Sequence, residues 1–211
     1  MSVLEVMKKE CVIPVVVLNN AENALPTARA LLEGGISTME ITFRTDAALA
    51  AIKAVKTECP EMHVGAGTVI NVEQCRAALD AGAEFIVCPG FDEAIVAECQ
   101  AKGVPVLPGC TTTTEIMRAI AMGLSLIKFF PANIYGGLKT MKALRGPFPM
   151  LQFMPTGGIN EDNLAEYMKT SFIPAVGGSW FCPASLIEEK HFDEITARCK
   201  AARETVKSIR S

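Results

Sequence analysis

Histidine is almost missing from this chain: His63 and His191 are the two among 211 residues. A metal centre built on clustered imidazoles is therefore excluded, and no Cys-x-x-Cys pair is there to replace one. The eight cysteines fall singly, at positions 11, 59, 75, 88, 99, 110, 182 and 199, and read as free buried thiols. An excess of positive charge is lacking too. Twenty basic against 23 acidic side chains leave a net charge of −3, so neither nucleic acid nor an anionic membrane is an expected partner. An anionic substrate must then be held by local groups. No apolar run approaches the roughly 20 residues of a membrane span. Met1 leads into Lys8 and Lys9 without the long apolar region of a secretion signal, so the chain reads as cytoplasmic.

What is present is a regular alternation. Strand-like runs at 12–18, 38–43, 63–69, 85–89, 105–108, 126–131, 152–156 and 172–177 alternate with helical stretches. The helical stretches are 22–33, 46–58, 72–81, 93–102, 114–122, 138–144, 162–169 and 193–209. Glycines fall where helices should stop, as in Ala81-Gly82, Lys102-Gly103 and Met122-Gly123. Eight strands at such spacing predict an α/β fold, a (β/α)8 TIM barrel near minimum length. The expected domain is single, 1–211, with an additional N-terminal helix at 2–11 covering the N-terminal end of the barrel. An open doubly wound sheet competes, but no Gly-x-Gly-x-x-Gly follows the first strand.

One lysine stands apart, inside the apolar run Leu126-Ile127-Lys128-Phe129-Phe130-Pro131. Burial disfavours an ammonium ion and frees an amine to act as a nucleophile, which is what a Schiff base with a carbonyl substrate requires. A strand-end lysine that snorkels to solvent would have the same local sequence. The second strand weighs on the choice. Pleating sends Thr38, Glu40 and Thr42 to one side and Met39, Ile41 and Phe43 to the other. The apolar set must pack under the helices, so Glu40 points into the barrel and Arg44 joins it at the strand end. Lys128 and Phe130 share a face in the same way. Inward lysine, glutamate and arginine are hard to explain by packing, although a structural ion network would also place them there.

Glycine-bearing turns follow the seventh and eighth strands, Pro155-Thr156-Gly157-Gly158 and Gly177-Gly178-Ser179. Without a Cβ the backbone can come close to an anion, and barrels of this kind hold phosphate at that location. Gly157, Gly158, Gly178 and Ser179 are thus the expected phosphate end, with the Thr156 hydroxyl near the reacting carbons. Plain tight turns are the alternative.

Together these residues resemble the aldolases that split 2-keto-3-deoxy-6-phosphogluconate (KDPG) and 4-hydroxy-2-oxoglutarate (KHG). The resemblance runs through almost the whole chain. Its strongest parts are Met39-Glu40-Ile41-Thr42-Phe43-Arg44-Thr45, Val64-Gly65-Ala66-Gly67-Thr68-Val69, Lys128-Phe129-Phe130-Pro131-Ala132 and Pro155-Thr156-Gly157-Gly158-Ile159. It implies a class I aldolase in which Lys128 forms the Schiff base and Glu40 moves protons. It also implies that Arg44 and Thr68 hold the pyruvyl carboxylate, Phe130 packs on the pyruvyl unit and Thr156 steers attack on the aldehyde. A 2-keto acid is the implied substrate, pyruvate a product and a homotrimer the implied assembly. The iminium acts as electron sink, so no metal and no cofactor is called for. Asn133-Ile134-Tyr135 is bulkier than the family pattern suggests, which bears on substrate preference. A phosphogalactonate aldolase is the near alternative. A phosphosugar isomerase or epimerase would leave Lys128 unexplained, and a non-catalytic sugar-phosphate-binding barrel would not need Glu40 and Lys128 to converge.

Overall fold

The computed structural model describes residues 2–210; Met1 and Ser211, the outermost residues of the expected domain, lie outside them. The N-terminal helix is α1, Val3–Glu10. Ser2 caps it: the Ser2 hydroxyl accepts the Glu5 backbone N–H and the Glu5 carboxylate accepts the Ser2 N–H, a reciprocal capping box. Eight parallel strands follow among the described residues: β1 Val12–Val16, β2 Thr38–Thr42, β3 His63–Gly67, β4 Ile86–Val87, β5 Val106–Leu107, β6 Leu126–Phe129, β7 Gln152–Pro155 and β8 Val176–Gly178. Between and after them run α2 Ala24–Glu33, α3 Ala48–Glu58, α4 Val72–Asp80, α5 Glu93–Ala101, α6 Thr113–Ala121, α7 Gly137–Arg145, α8 Leu164–Met168, α9 Ala184–Glu188 and α10 Phe192–Arg210.

The strands close into a ring. One sheet has the order β5-β4-β3-β2-β1-β8 and a second pairs β6 with β7. Two parallel bridges join the sheets, Gly109 with Lys128 and Thr156 with Gly177. The first carries two ladder hydrogen bonds of 3.0 Å, from Lys128 N–H to Pro108 O and from Cys110 N–H to Lys128 O. The expected (β/α)8 barrel is thus the observed architecture. Two of the predicted site residues, Lys128 and Thr156, sit on the seams that complete it.

Side-chain parity follows the pleat. Met39, Ile41, Ile127 and Phe129 pack with helix residues such as Leu31, Ile52 and Val55 in the layer outside the strands. Ile13, Phe85, Leu107 and Met154 form a separate cluster in the interior. Val3 and Met7 of α1 join that inner cluster, so the N-terminal helix plugs the barrel's N-terminal end as expected. Phe85 fills the space over Gly65, where a Cβ would stand 2.1 Å from its ring.

Several strands are shorter than expected, β1 ending at Val16 and β4 spanning only Ile86–Val87, and two further differences stand out. The eighth strand, expected at 172–177, forms only at Val176–Gly178. Pro174 has no N–H for a ladder, and the Arg210 guanidinium donates to the carbonyls of Thr170, Ile173 and Pro174, taking the acceptors that a longer strand would use. The five-residue helix α9 was not foreseen; it lies between β8 and the long closing helix.

Candidate active site

Lys128 is the third residue of β6 and is 3% exposed; Glu40, in the middle of β2, is fully buried. Their strands lie apart in the ring, yet Lys128 Nζ stands 3.6 Å from Glu40 Oε1. That is an ionic contact just beyond hydrogen-bond length. Among the described residues neither oxygen of Glu40 has a hydrogen-bond partner, and the buried hydroxyls of Thr42 and Thr156 have none either. A buried polar atom left unpaired costs about 1–3 kcal/mol. Several of them at the C-terminal end of the strands mark a place where the fold gives up stability. The Phe130 ring lies over the amine, its centroid 5.1 Å from Nζ.

Arg44, just past the end of β2, donates from Nε to the Thr68 hydroxyl at 3.3 Å. Thr68 itself is held at φ 57°, a left-handed conformation uncommon for a residue with a branched Cβ. The strain turns the chain at the top of β3 so that the hydroxyl meets Arg44. Gly157 and Gly158 also lie at positive φ, 94° and 78°, and make the turn after β7 without a Cβ penalty.

A cavity of about 220 Å³ opens above these groups. Arg44, Phe130, Thr156, Gly157, Gly158, Gly178 and Ser179 line it, with Val15 and Ile159. Seven of the expected site residues therefore converge on one cavity. Lys128, Glu40 and Thr68 do not line it; Phe130 connects it to Lys128, and Arg44 connects it to Thr68. A larger groove, about 420 Å³, lies between α2 and α10. Its charged lining includes exposed Glu33 and Lys200 in a 3.5 Å surface pair, with no unpaired buried side-chain atom, so volume is a poor guide to the chemistry here.

Comparison with known proteins gives the family. A family model described as KDPG and KHG aldolase matches residues 3–198. The chain belongs to the KDPG and KHG aldolase family. A 2-dehydro-3-deoxy-phosphogluconate aldolase of Treponema pallidum (strain Nichols) is 48% identical over 196 residues, covering 93% of each chain. KDPG aldolase from Legionella pneumophila, solved with pyruvate captured at low pH as a covalent carbinolamine, superposes with a TM-score of 0.90 at 39% identity, covering 93% of this chain and 96% of that one. The Zymomonas mobilis ZM4 aldolase with 3-phosphoglycerate gives 0.89 at 39% identity, over 94% and 93%. Aldolases of this family are carbon–carbon lyases.

Within this aldolase barrel, sequence reasoning left several residues without a role. Thr42 is placed one pleat beyond Glu40 on the inward face, and period-2 parity alone could have singled it out. Gly177 faces Thr156 across the β7–β8 seam, and a Cβ there would stand 2.5 Å from the Thr156 hydroxyl. Such pairings depend on register between strands remote in sequence. The cysteines show no sign of reactivity: all eight are free and buried, and burial pushes Cys110 up to about 12. His63 lies at the opposite end of the barrel, 2.6 Å from Glu84. No helix among the described residues is long and apolar enough to cross a membrane.

Proposed function

We propose that this protein is a class I aldolase that cleaves KDPG to pyruvate and glyceraldehyde 3-phosphate, and KHG to pyruvate and glyoxylate, through a Schiff base on Lys128. The observation that carries the reading is the buried amine of Lys128 at 3.6 Å from the buried carboxylate of Glu40, beneath a cavity ringed by glycines. The Lys128 amine attacks the C2 ketone, and loss of water leaves an iminium. Glu40 takes the proton from the C4 hydroxyl; the C3–C4 bond breaks, its electron pair moves into the iminium and the aldehyde departs. Protonation of the resulting enamine at C3 and hydrolysis release pyruvate and return the amine.

The other residues take their roles from position. Arg44, oriented by its hydrogen bond to Thr68, meets the pyruvyl carboxylate with a planar donor fork. Phe130 packs on the three-carbon unit. The unpaired Thr156 hydroxyl stands where the aldehyde oxygen develops and selects its face. Gly157, Gly158, Gly178 and Ser179 line the far side of the cavity and take the phosphate. We read the chain as one catalytic barrel, acting in the cytoplasm as a homotrimer.

The test is pyruvate release followed by a coupled assay, with KDPG, its galactonate stereoisomer and KHG compared under one set of conditions. The reading predicts steady release from KDPG. Release from none of the three would overturn it, and faster turnover of the galactonate compound would move the assignment to that substrate.

A further inference from the structure

We propose that Gly67 is a positioning residue, its missing side chain forming the slot that lets the Glu40 carboxylate lie beside Lys128; the catalytic part of the claim rests on the aldolase reading above. Register pairs Glu40 with Gly65 and Thr42 with Gly67. The Glu40 side chain does not stay level with its own partner but leans one pleat forward, over Gly67. A Cβ at position 67 would stand 2.1 Å from Glu40 Oε1, 2.5 Å from Cγ and 2.7 Å from Cδ. All three are far inside normal contact of about 3.5–4.0 Å.

Among the described residues nothing else pins that carboxylate by hydrogen bonding, since both its oxygens are unpartnered and Lys128 stands at 3.6 Å. Its position is therefore set by shape. Gly67 lies in extended β3 backbone, outside the left-handed region, so alanine is admissible to the main chain, and the three atoms nearest its Cβ all belong to Glu40. Gly65, two residues earlier on the same face, serves a different purpose: its neighbour is the Phe85 ring in the packed interior. The two glycines of one strand thus divide between packing and chemistry.

The experiment compares wild type, Gly67→Ala, Glu40→Gln and the double variant in two assays with pyruvate alone. Borohydride trapping reads imine formation, and loss of the methyl proton signal in D₂O reads proton transfer at C3. Gly67→Ala is expected to trap pyruvate as wild type does while exchange falls by about 10²-fold, within the range of a lost proton-transfer group. The double variant should lose no more exchange than Glu40→Gln. Should Gly67→Ala fold poorly, thermal melts of Gly67→Ala in the Glu40→Ala background decide the contact. The Tm loss should largely vanish where the clashing side chain has been removed. Wild-type exchange in Gly67→Ala, or an equal Tm loss in both backgrounds, would overturn the assignment. Failure of wild type itself to be trapped would instead overturn the aldolase reading, and with it the catalytic role of Gly67.

Discussion

Two buried glutamates, at opposite ends of the barrel, are treated in opposite ways. Glu10 ends α1, and its carboxylate accepts the Ser37 N–H at 2.7 Å, the Ser37 hydroxyl at 2.6 Å and the Thr38 hydroxyl at 2.8 Å. Glu40, two residues along the strand that Thr38 opens, accepts none. At that end the Arg203 guanidinium donates to the Lys9 carbonyl of α1, and Arg210 donates to the carbonyls of Met168 and Pro174. Around Glu40 lie unpaired hydroxyls of Thr42 and Thr156 and the strained backbone of Thr68. One end of the cylinder is built for stability and the other keeps its polar groups for a guest. The difference matches the division that barrels of this class show between their two faces.

Substitutions at the two ends should separate these roles, and the largest effect belongs to the amine. Lys128→Ala is expected to abolish pyruvate trapping and aldol cleavage while the protein remains folded, as circular dichroism would show. Glu40→Gln should lower kcat about 10²–10⁴-fold and leave trapping intact. Because Glu40 accepts no hydrogen bond and its ion pair with Lys128 is long, at 3.6 Å, the substitution should cost less Tm than Glu10→Ala. Phe85→Ala belongs to the opposite end and should cost about 3–5 kcal/mol in denaturant unfolding, with kcat of the folded enzyme retained. Glu10→Ala should cost about 1–3 kcal/mol by leaving buried donors unpaired, again with turnover preserved. A gain in stability from Glu10→Ala, or a larger loss from Glu40→Gln than from Glu10→Ala, would break the comparison.

The smallest effect is one of pH. Burial acts to raise the Glu84 carboxyl, but hydrogen bonds from Lys56 and His63 outweigh it and hold the group below its usual 4.5. A carboxylate lowered in the folded state adds stability that is present above pH 4.5 and lost as pH falls through the lower folded value. Glu84→Gln should therefore flatten the acid limb of Tm below pH 4.5 and leave kcat unchanged.

Much of this is legible in the sequence. Alternation along 38–43 and 126–131 was enough to aim Glu40 and Lys128 inward, because parity on a strand is a local property. Eight strand-like runs sufficed for the barrel, and the stretch before the first of them for the helix that covers its N-terminal end. What stayed hidden depends on long-range contacts. The shortened eighth strand is explained by Arg210, from the far end of the chain, taking its carbonyls. The importance of Gly67 emerges only when β2 and β3 are set side by side and the lean of Glu40 is known. Thr68 is singled out in the sequence by the resemblance alone, and its left-handed backbone shows only in the structure.

Incubating the wild-type protein with pyruvate and borohydride, then mapping the modified peptide by mass spectrometry, tests the central claim most directly. A stable reduced pyruvyl adduct on Lys128, and on none of the other lysines, is the predicted result. An unmodified Lys128 in a folded protein, or an adduct carried by a surface lysine instead, would contradict it.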